Sequence, residues 1–243
     1  MKLSSVNSIN FKAKPQQLIK ADKVLRLMNA HCPTVSNTRY YKFNTTKKSS
    51  LMQQNVAMLG IEFALMRKNL HSSETNDTPL NYCQYLLKTL KKFRLANCGE
   101  LVRLFSFISC LNGLKAKKTS ILPSSVDHCV ALIPLKEDSL EKTDFAKTPI
   151  SKLKDFLIAD PWLGIVDYAP NIATLYKNHP DYRRFIGDYK AENYDELINK
   201  INLDDFYLHP KEELVVKLKP EDINSFRETN PELFIDKKEL IKH

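Results

Sequence analysis

Apolar residues in the middle of the chain recur every three or four positions, which is the period of an α-helix with one buried face. Residues 52–70 show this period, and residues 80–93 show it again after a polar loop. A third apolar stripe covers residues 101–111 and stops at Asn112-Gly113, a typical helix end. The pattern therefore predicts three helices that pack together through their apolar faces.

Two later segments have the character of short β-strands. Residues 126–132 alternate so that Val126, His128 and Val130 share one face, and residues 156–159 are apolar throughout. Between them, residues 136–154 form a charged, Pro-containing insertion that we interpret as a surface loop, which could serve as a lid or specificity loop over a cleft. The chain has only 5 glycines, which argues against a sandwich with glycine-rich turns and favours an α+β fold.

Charge divides the chain into three parts. Residues 1–97 carry 16 Lys and Arg against 4 Asp and Glu, residues 98–180 carry 10 against 9, and residues 181–243 carry 11 against 15. We predict a basic, flexible or solvated segment over 1–50, a core over 51–180 and a helical extension over 181–243. The basic segment contains aromatic residues that could stack on bases, but it has no recognisable binding motif, so specific nucleic-acid binding is not expected.

Composition argues against several other classes of protein. The first residues lack the apolar region of a secretory signal, and no apolar run reaches the roughly 18 residues that a membrane span requires. Five cysteines without a C-x-x-C motif argue against a disulfide scaffold and a zinc ribbon. We therefore expect a soluble protein with reduced thiols, in a reducing compartment, and we predict no metal and no cofactor.

Cys98 lies where a helix is predicted to begin. Asn97 has the character of an N-cap, and Glu100 that of the returning partner in a capping box. A cysteine in a first helical turn lies near unpaired N–H groups and the positive end of the helix dipole, which stabilise a thiolate. Gly99 would let a substrate carbonyl approach the backbone closely. This context makes Cys98 a candidate nucleophile.

His128 and Asp160 complete a possible thiol site. A strand would hold the imidazole of His128 rigidly, and an acidic group would fix its tautomer. Asp160 ends the apolar run at 156–159 and precedes Pro161-Trp162, whose large ring could shield the site. Asp167 is an alternative for the acidic role, but Asp160 is preferred because it leaves a strand directly into proline.

Asn97-Cys98-Gly99-Glu100 at a helix start, followed by Asp127-His128-Cys129 and Asp160-Pro161-Trp162, resembles the papain-like and transglutaminase-like cysteine enzymes among bacterial effectors and toxins. The resemblance covers residues 93 to about 168. It implies a papain-like core, in which a helical half carries the Cys and a small antiparallel sheet carries His and Asp, with extra helices at both ends. It also implies the triad Cys98, His128 and Asp160. The chain departs from the protease pattern because no Gln precedes Cys98 within residues 90–96.

The predicted function is cysteine-dependent acyl transfer on a protein substrate. The resemblance favours a glutamine deamidase of effector type acting on a host protein, which would reach a host cytosol by a route without a signal peptide. A cysteine protease or a transglutaminase would use the same triad, with a different cleft or an amine in place of water. The non-enzymatic alternative is a basic adaptor or nucleic-acid-associated protein whose Cys98 and His128 are core residues.

Overall fold

The structure is a computed structural model, which describes residues 16–34, 64, 65, 68, 79–94, 96–122, 128–178, 206–210 and 218–236. The described part is α+β. Its helices are α1 (Gln16–His31), α2 (Pro79–Phe93), α3 (Cys98–Leu111), α4 (Ser139–Lys142), α5 (Ala169–Asn178) and α6 (Pro220–Thr229), and its strands are β1 (Lys117–Leu122), β2 (Cys129–Pro134), β3 (Phe156–Asp160), β4 (Ile165–Tyr168) and β5 (Tyr207–Pro210). Single 3-10 turns occur at Ile150–Lys152 and Pro231–Leu233.

The five strands form one antiparallel sheet in the order β4-β3-β2-β1-β5. Strands β2 and β3 lie inside the sheet and are buried on both faces, as their nearly continuous apolar sequences require. Strand β2 begins at Cys129 and ends at Pro134, so it lies later than the predicted strand at 126–132. Strand β3 agrees with the apolar run at 156–159.

Helix α3 is the centre of the core. Every residue from Leu104 to Ser109 is buried, so the helix is covered around its whole circumference. It packs against α1, α2, β1 and β2. The predictions of α2 and α3 are confirmed, and the apolar face of α2 contributes fully buried Leu86 and Leu90 to this core.

Helix α1 belongs to the same core, although it comes from the segment set apart as residues 1–50. Its buried face consists of Ala21, Val24, Leu25 and Met28, and it packs against α3 and β4. The i, i+3, i+4, i+7 spacing of these four residues is that of an amphipathic helix. Within the predicted helix over 52–70, the structure describes only residues 64, 65 and 68, and these are helical.

The segment over 136–154, interpreted as a surface loop, is partly core. Ile150 and Leu153 are buried, the backbone N–H of Ile150 donates to the carbonyl of Phe206 at 2.8 Å, and Phe145 packs edge-to-face on Phe156. Apolar residues within the charged sequence therefore anchor this segment to β3 and to the start of β5.

The C-terminal part of the chain also packs on this core. Strand β5 pairs with β1, so the part predicted as a helical extension over 181–243 also supplies a strand of the sheet. The same part contains α6, whose Phe226 packs edge-to-face on Phe107 of α3. Within the described ranges, no helix has both the length and the apolar character needed to cross a bilayer.

Candidate functional site

The sheet brings His128 and Asp160 together. In the β2–β3 register, Leu132 lies opposite Ile158, and side chains opposite each other in antiparallel strands project from the same face. The period of two therefore places Asp160, the last residue of β3, on the face that Val130 shares with Leu132. His128 directly precedes β2, and its carbonyl accepts the N–H of Ile121 at 3.0 Å, so β1 fixes its backbone.

The two side chains form a buried hydrogen-bonded pair. Nε2 of His128 lies 2.7 Å from Oδ2 of Asp160, and the side chains are 4% and 0% exposed. An ionised carboxylate can only accept, so Nε2 carries the hydrogen and donates it. Nδ1 is then the ring nitrogen that carries no hydrogen, and it can accept a proton.

Asp160 is held by three further donors. Its Oδ1 accepts the backbone N–H groups of Trp162 and Leu163, each at 3.1 Å, and its Oδ2 accepts the hydroxyl of Tyr176 at 3.1 Å. An Asp side chain often caps the turn that follows it in this way. Gly164, at φ +73°, completes the turn into β4. The carboxylate thus closes the turn and orients His128 at the same time.

Two aromatic rings enclose the imidazole. Trp162 packs edge-to-face on His128 with ring centroids 5.7 Å apart, and Tyr176 does so at 6.4 Å. Trp162 matches the predicted shielding ring. Sequence reasoning missed Tyr176, although it lies on the apolar stripe of α5 with Ala169, Ile172 and Ala173, and the hydroxyl of a buried tyrosine needs a partner.

Asp167, the alternative acidic residue, has a different position. Its Oδ1 accepts the backbone N–H of Tyr168 at 2.7 Å and the side-chain amide of Asn171 at 3.1 Å. These bonds lie at the start of α5. The structure therefore pairs His128 with Asp160, whereas Asp167 binds residues near the start of α5.

Cys98 is the first residue of α3, as predicted. The carboxylate of Glu100 accepts the backbone N–H of Asn97 at 3.0 Å, which is the returning half of a capping box. Next to Cys98, a side chain added at Gly99 would meet none of the described residues within 4 Å.

Cys98 and Cys129 begin α3 and β2, and their thiols are near enough to affect each other's pKa. The interaction with Cys98, together with the hydroxyl of Ser120 at 3.7 Å and the nearby charge of Lys118, lowers the pKa of Cys129 to about 6, against the raising effect of burial. The interaction with Cys129, burial and the charge of Asp160 raise the pKa of Cys98. The helix start alone predicts the opposite direction for Cys98.

A cleft of about 360 Å³ lies beside this cluster. Leu101, one turn after Cys98, forms part of its wall, and so does Trp162. The described residues that line it are all uncharged: Asn29, Pro33, Thr34, Leu101, Pro161, Trp162, Leu163 and Gly164. The volume is near the lower end of the roughly 300–1,000 Å³ typical of ligand pockets.

A larger cleft, of about 1050 Å³, is formed by α1, β4 and residues 234–236. It contains charged residues of both signs, including Asp22, Lys23 and Arg26. Neither cleft has Cys98, His128 or Asp160 in its lining. Size alone favours the larger cleft, whereas the smaller one is lined by Trp162, which packs on His128, and by Pro161, which follows Asp160. Because reactive groups decide where chemistry occurs, the smaller cleft is the better candidate.

Within the part of the chain that the structure describes, no group of three or more His, Cys, Asp and Glu side chains is arranged to hold a metal ion. No protein-family model matches the chain, and searches of curated proteins and of solved structures found no similar protein. The functional argument therefore rests on the geometry around His128.

Proposed function

We propose that this chain is a cysteine-dependent acyl-transfer hydrolase with a papain-like core, acting as a glutamine deamidase on a protein substrate. The observation that supports it is the buried 2.7 Å bond between His128 and Asp160. Asp160 is also near enough to Cys98, at the start of α3, to affect the pKa of its thiol. A histidine oriented by a buried carboxylate is the base that activates a nucleophile in this class of chemistry.

Each residue has a definite role in the proposed reaction. The sulfur of Cys98 attacks the carboxamide carbon while Nδ1 of His128 takes the thiol proton. Ammonia leaves with that proton, and the substrate acyl group remains on Cys98 as a thioester. Water then attacks the thioester, giving a carboxylic acid and the free thiol. Backbone N–H groups in the first turn of α3 would stabilise the oxyanion in both steps.

The raised pKa of Cys98 fits a resting state in which its thiol is protonated. Deprotonation then accompanies attack, so the base matters to the rate of acylation. Asp160 contributes by holding the tautomer in which Nδ1 carries no hydrogen and can accept this proton. The proposal therefore requires that both Cys98 and His128 affect the acylation step.

The uncharged cleft beside Trp162 supports a side-chain carboxamide as the substrate group. Gln is polar but uncharged, and the cleft offers the side chains of Asn29 and Thr34 together with apolar walls. The same triad would serve a protease or a transglutaminase. A host protein as the substrate is an inference from the effector resemblance.

Acylation by p-nitrophenyl acetate tests the mechanism without a known substrate. We expect a burst of p-nitrophenolate and an acetyl group on Cys98, located by peptide mass spectrometry. Cys98→Ala should abolish the burst, and His128→Gln should slow it at least about 100-fold, as loss of a general base does. Cys110→Ala, in the same helix, is the matched control. Acylation at Cys98 that is indifferent to His128→Gln would overturn the proposed mechanism.

Product analysis then separates the three related reactions. A tryptic digest of a cell extract is incubated with the wild-type chain and with Cys98→Ala. Deamidation converts Gln to Glu with release of ammonia, proteolysis creates new peptide ends, and transglutamination joins an added amine. We expect Gln-to-Glu conversion with the wild type alone.

A further inference from the structure

Strand β4 is an outer edge of the sheet in the described part of the chain, where it pairs with β3 alone. An edge strand directs half of its backbone N–H and carbonyl groups away from its neighbour, and these groups can pair with another chain. The larger cleft lies at this edge, because Val166 and Asp167 of β4 line it together with α1 and residues 234–236. The outward backbone groups of β4 therefore decide what the cleft can hold.

The hydrogen bonds around β3 show which residues of β4 face outward. Opposite residues in antiparallel strands alternate between pairs that exchange both backbone bonds and pairs whose groups point away. The N–H of Gly164 donates to the carbonyl of Asp160 at 2.9 Å, so Asp160 turns its carbonyl towards β4. Asp160 lies opposite Ile165, and this pair is of the bonded kind. Val166, the next residue, therefore directs its N–H and its carbonyl away from β3.

Two further hydrogen bonds agree with this assignment. On the other side of β3, the N–H of Leu135 donates to the carbonyl of Asp155 at 2.9 Å, so odd-numbered residues of β3 face β2 and even-numbered ones face β4. At the end of β4, the N–H of Tyr168 donates to Oδ1 of Asp167 at 2.7 Å, as expected for an outward-facing residue. Among the described residues, the loop and turn hydrogen bonds do not involve the backbone of Val166.

The opposite edge of the sheet is blocked by proline. The N–H of Ile121 donates to the carbonyl of His128 at 3.0 Å, so odd-numbered residues of β1 face β2. Pro210 of β5 lies opposite one of these residues and therefore faces outward. Proline has no N–H, and natural sheets use it to prevent pairing at an edge. The outward position on β4 is Val166, which keeps its N–H.

We propose that the edge of β4 binds an extended segment of a protein partner, which adds to the sheet as a further strand in the larger cleft. Val166 exchanges two main-chain hydrogen bonds with one residue of this segment, and the cleft walls select its side chains. The cleft of about 1050 Å³ exceeds most small-molecule pockets, which span roughly 300–1,000 Å³, and suits several residues of peptide. Under the proposed function, on which this step rests, the segment belongs to the protein substrate.

The lining favours a segment of alternating apolar and basic residues. Successive side chains of a strand point to opposite faces, so those of an added strand alternate as Val166 and Asp167 do. The lining is largely apolar along α1, and it carries three aspartates against two basic residues. One of those bases, Arg26, is paired with Asp22 at 2.9 Å. The cleft is therefore acidic by one charge, and charges within a screening length of about 8 Å outweigh the chain's net +9.

The edge of β4 leads to the cleft beside Trp162. Gly164, two residues before Val166, lines the smaller cleft, and on α1 the consecutive residues Asn29 and Ala30 line the smaller and the larger cleft. At about 3.3 Å per residue, two residues of extended chain span the path from Val166 to Gly164. A docked segment thus presents a Gln that lies about two to four residues beyond the residue paired with Val166.

Peptide binding tests the docking without any activity measurement. A fluorescein-labelled octapeptide of alternating Val and Lys is titrated with the full chain and followed by anisotropy, and NMR of the chain labelled with 15N-valine reports hydrogen exchange at Val166. We expect the peptide to slow exchange of this amide at least about tenfold, because the amide becomes hydrogen-bonded. A peptide of four Val followed by four Lys has the same charge without the alternation, and should give no protection.

Two variants at one position separate the backbone from the side chain. Val166→Pro removes the outward N–H and keeps the bonds to β3, whereas Val166→Ala keeps the N–H. We expect Val166→Pro to weaken binding at least about tenfold and Val166→Ala to weaken it less. Asp167→Asn should weaken binding about two- to fivefold, the effect of a cross-strand charge pair. Trp162 fluorescence in urea shows whether each variant is folded, and exchange of the wild-type amide decides the question if Val166→Pro is not.

Three results would overturn the docking site. These are a Val166 amide that the alternating peptide does not protect, equal binding by folded Val166→Pro and the wild type, and an amide already protected in the free chain. Protection that is lost on dilution would assign the edge to a second copy of the chain, and protection that persists would assign it to another part of the same chain.

The docking site and the enzyme can fail separately. The alternating peptide is extended by a Gln three residues beyond its end, and ammonia release is measured. If both proposals hold, Val166→Pro should slow deamidation through a higher KM rather than a lower kcat. Binding with protection of Val166 but without deamidation would refute the hydrolase and keep the docking site. Deamidation that Val166→Pro leaves unchanged would do the reverse.

Discussion

At the residue scale, the site depends on how two protons are held. One belongs to Nε2 of His128 and points at Asp160, where four donors in total satisfy a carboxylate with no exposure to solvent. The other belongs to Cys98, whose interaction with Cys129 raises its own pKa and lowers that of Cys129. Two interacting thiols favour one negative charge on the pair and disfavour a second. Cys129 therefore ionises more easily than Cys98.

This arrangement predicts how alkylation at each thiol depends on pH. Only the thiolate reacts with iodoacetamide, and a thiol becomes a thiolate as pH rises through its pKa. Labelling of Cys129 should therefore rise through about pH 6, whereas Cys83 should stay unreactive until about pH 12. Rates measured by peptide mass spectrometry at each pH check this prediction.

Variants identify the source of the effect. The interaction with Cys98 is the largest cause of the lowered pKa of Cys129, and the interaction with Ser120 is smaller. Cys98→Ala should therefore move the labelling of Cys129 to higher pH, and Ser120→Ala should move it less. Fast labelling of Cys98 below pH 7 in the wild type would contradict the raised pKa of Cys98.

At the element scale, the site is held by contacts between the sheet and α5. Strand β3 supplies Asp160, and the hydroxyl of Tyr176 on α5 donates to the same oxygen that binds His128. Tyr176 is fully buried. It is a positioning residue, because it acts on His128 through Asp160. A helix that packs against the end of a strand thereby limits the motion of a carboxylate.

Tyr176→Phe tests this contact with little change of volume. A hydrogen bond to a charged group stabilises a fold by about 1.5–3 kcal/mol, and urea unfolding should show a loss in that range. If α5 positions the His128–Asp160 pair, the pH profile of acylation at Cys98 should also shift, which a loss of stability alone would not cause. Tyr85→Phe on α2 is the matched control, since its hydroxyl makes no hydrogen bond within the described residues. Equal effects of both substitutions would contradict the assigned role.

The sequence predicts elements well where one pattern dominates. Helices α2 and α3 follow from apolar periodicity, and the capping residues place Cys98 in the first turn without any tertiary information. Helix α1 has the same apolar period. Its segment is strongly basic, however, and that composition favours a solvated chain over a packed helix. Local patterns cannot show that Cys98 lies near Cys129 or that Tyr176 meets Asp160. Those contacts depend on how distant elements pack.

At the scale of the whole molecule, both ends of the described chain pack onto one core. Helix α1 lies on α3 and β4. At the other end, residues 233–235 bind the side chain of Asn112, which directly follows α3. Its amide nitrogen donates to the carbonyl of Leu233 at 3.0 Å, and its amide oxygen accepts the N–H of Ile235 at 2.7 Å. The exposed ion pair between Lys91 and Glu232, at 3.3 Å, adds little by comparison. The candidate site therefore shares its core with elements from distant parts of the sequence.

A shared core predicts that damage to α1 destabilises the surroundings of His128. Met28 is fully buried, and Met28→Ala should lower the free energy of unfolding by about 2–5 kcal/mol through lost burial and a residual cavity. Trp162 is the single tryptophan of the sequence and packs on His128, so its fluorescence reports unfolding at the site itself. Urea titrations should show one transition for Trp162 fluorescence and for circular dichroism, and both should move together in Met28→Ala.

Arg26→Ala, on the same helix but in an exposed ion pair with Asp22, should change stability by only about 0–1 kcal/mol. A Trp162 transition that stays in place while helical signal is lost earlier would mean that α1 unfolds as a separate unit, as expected if the N-terminal 50 residues were independent of the core.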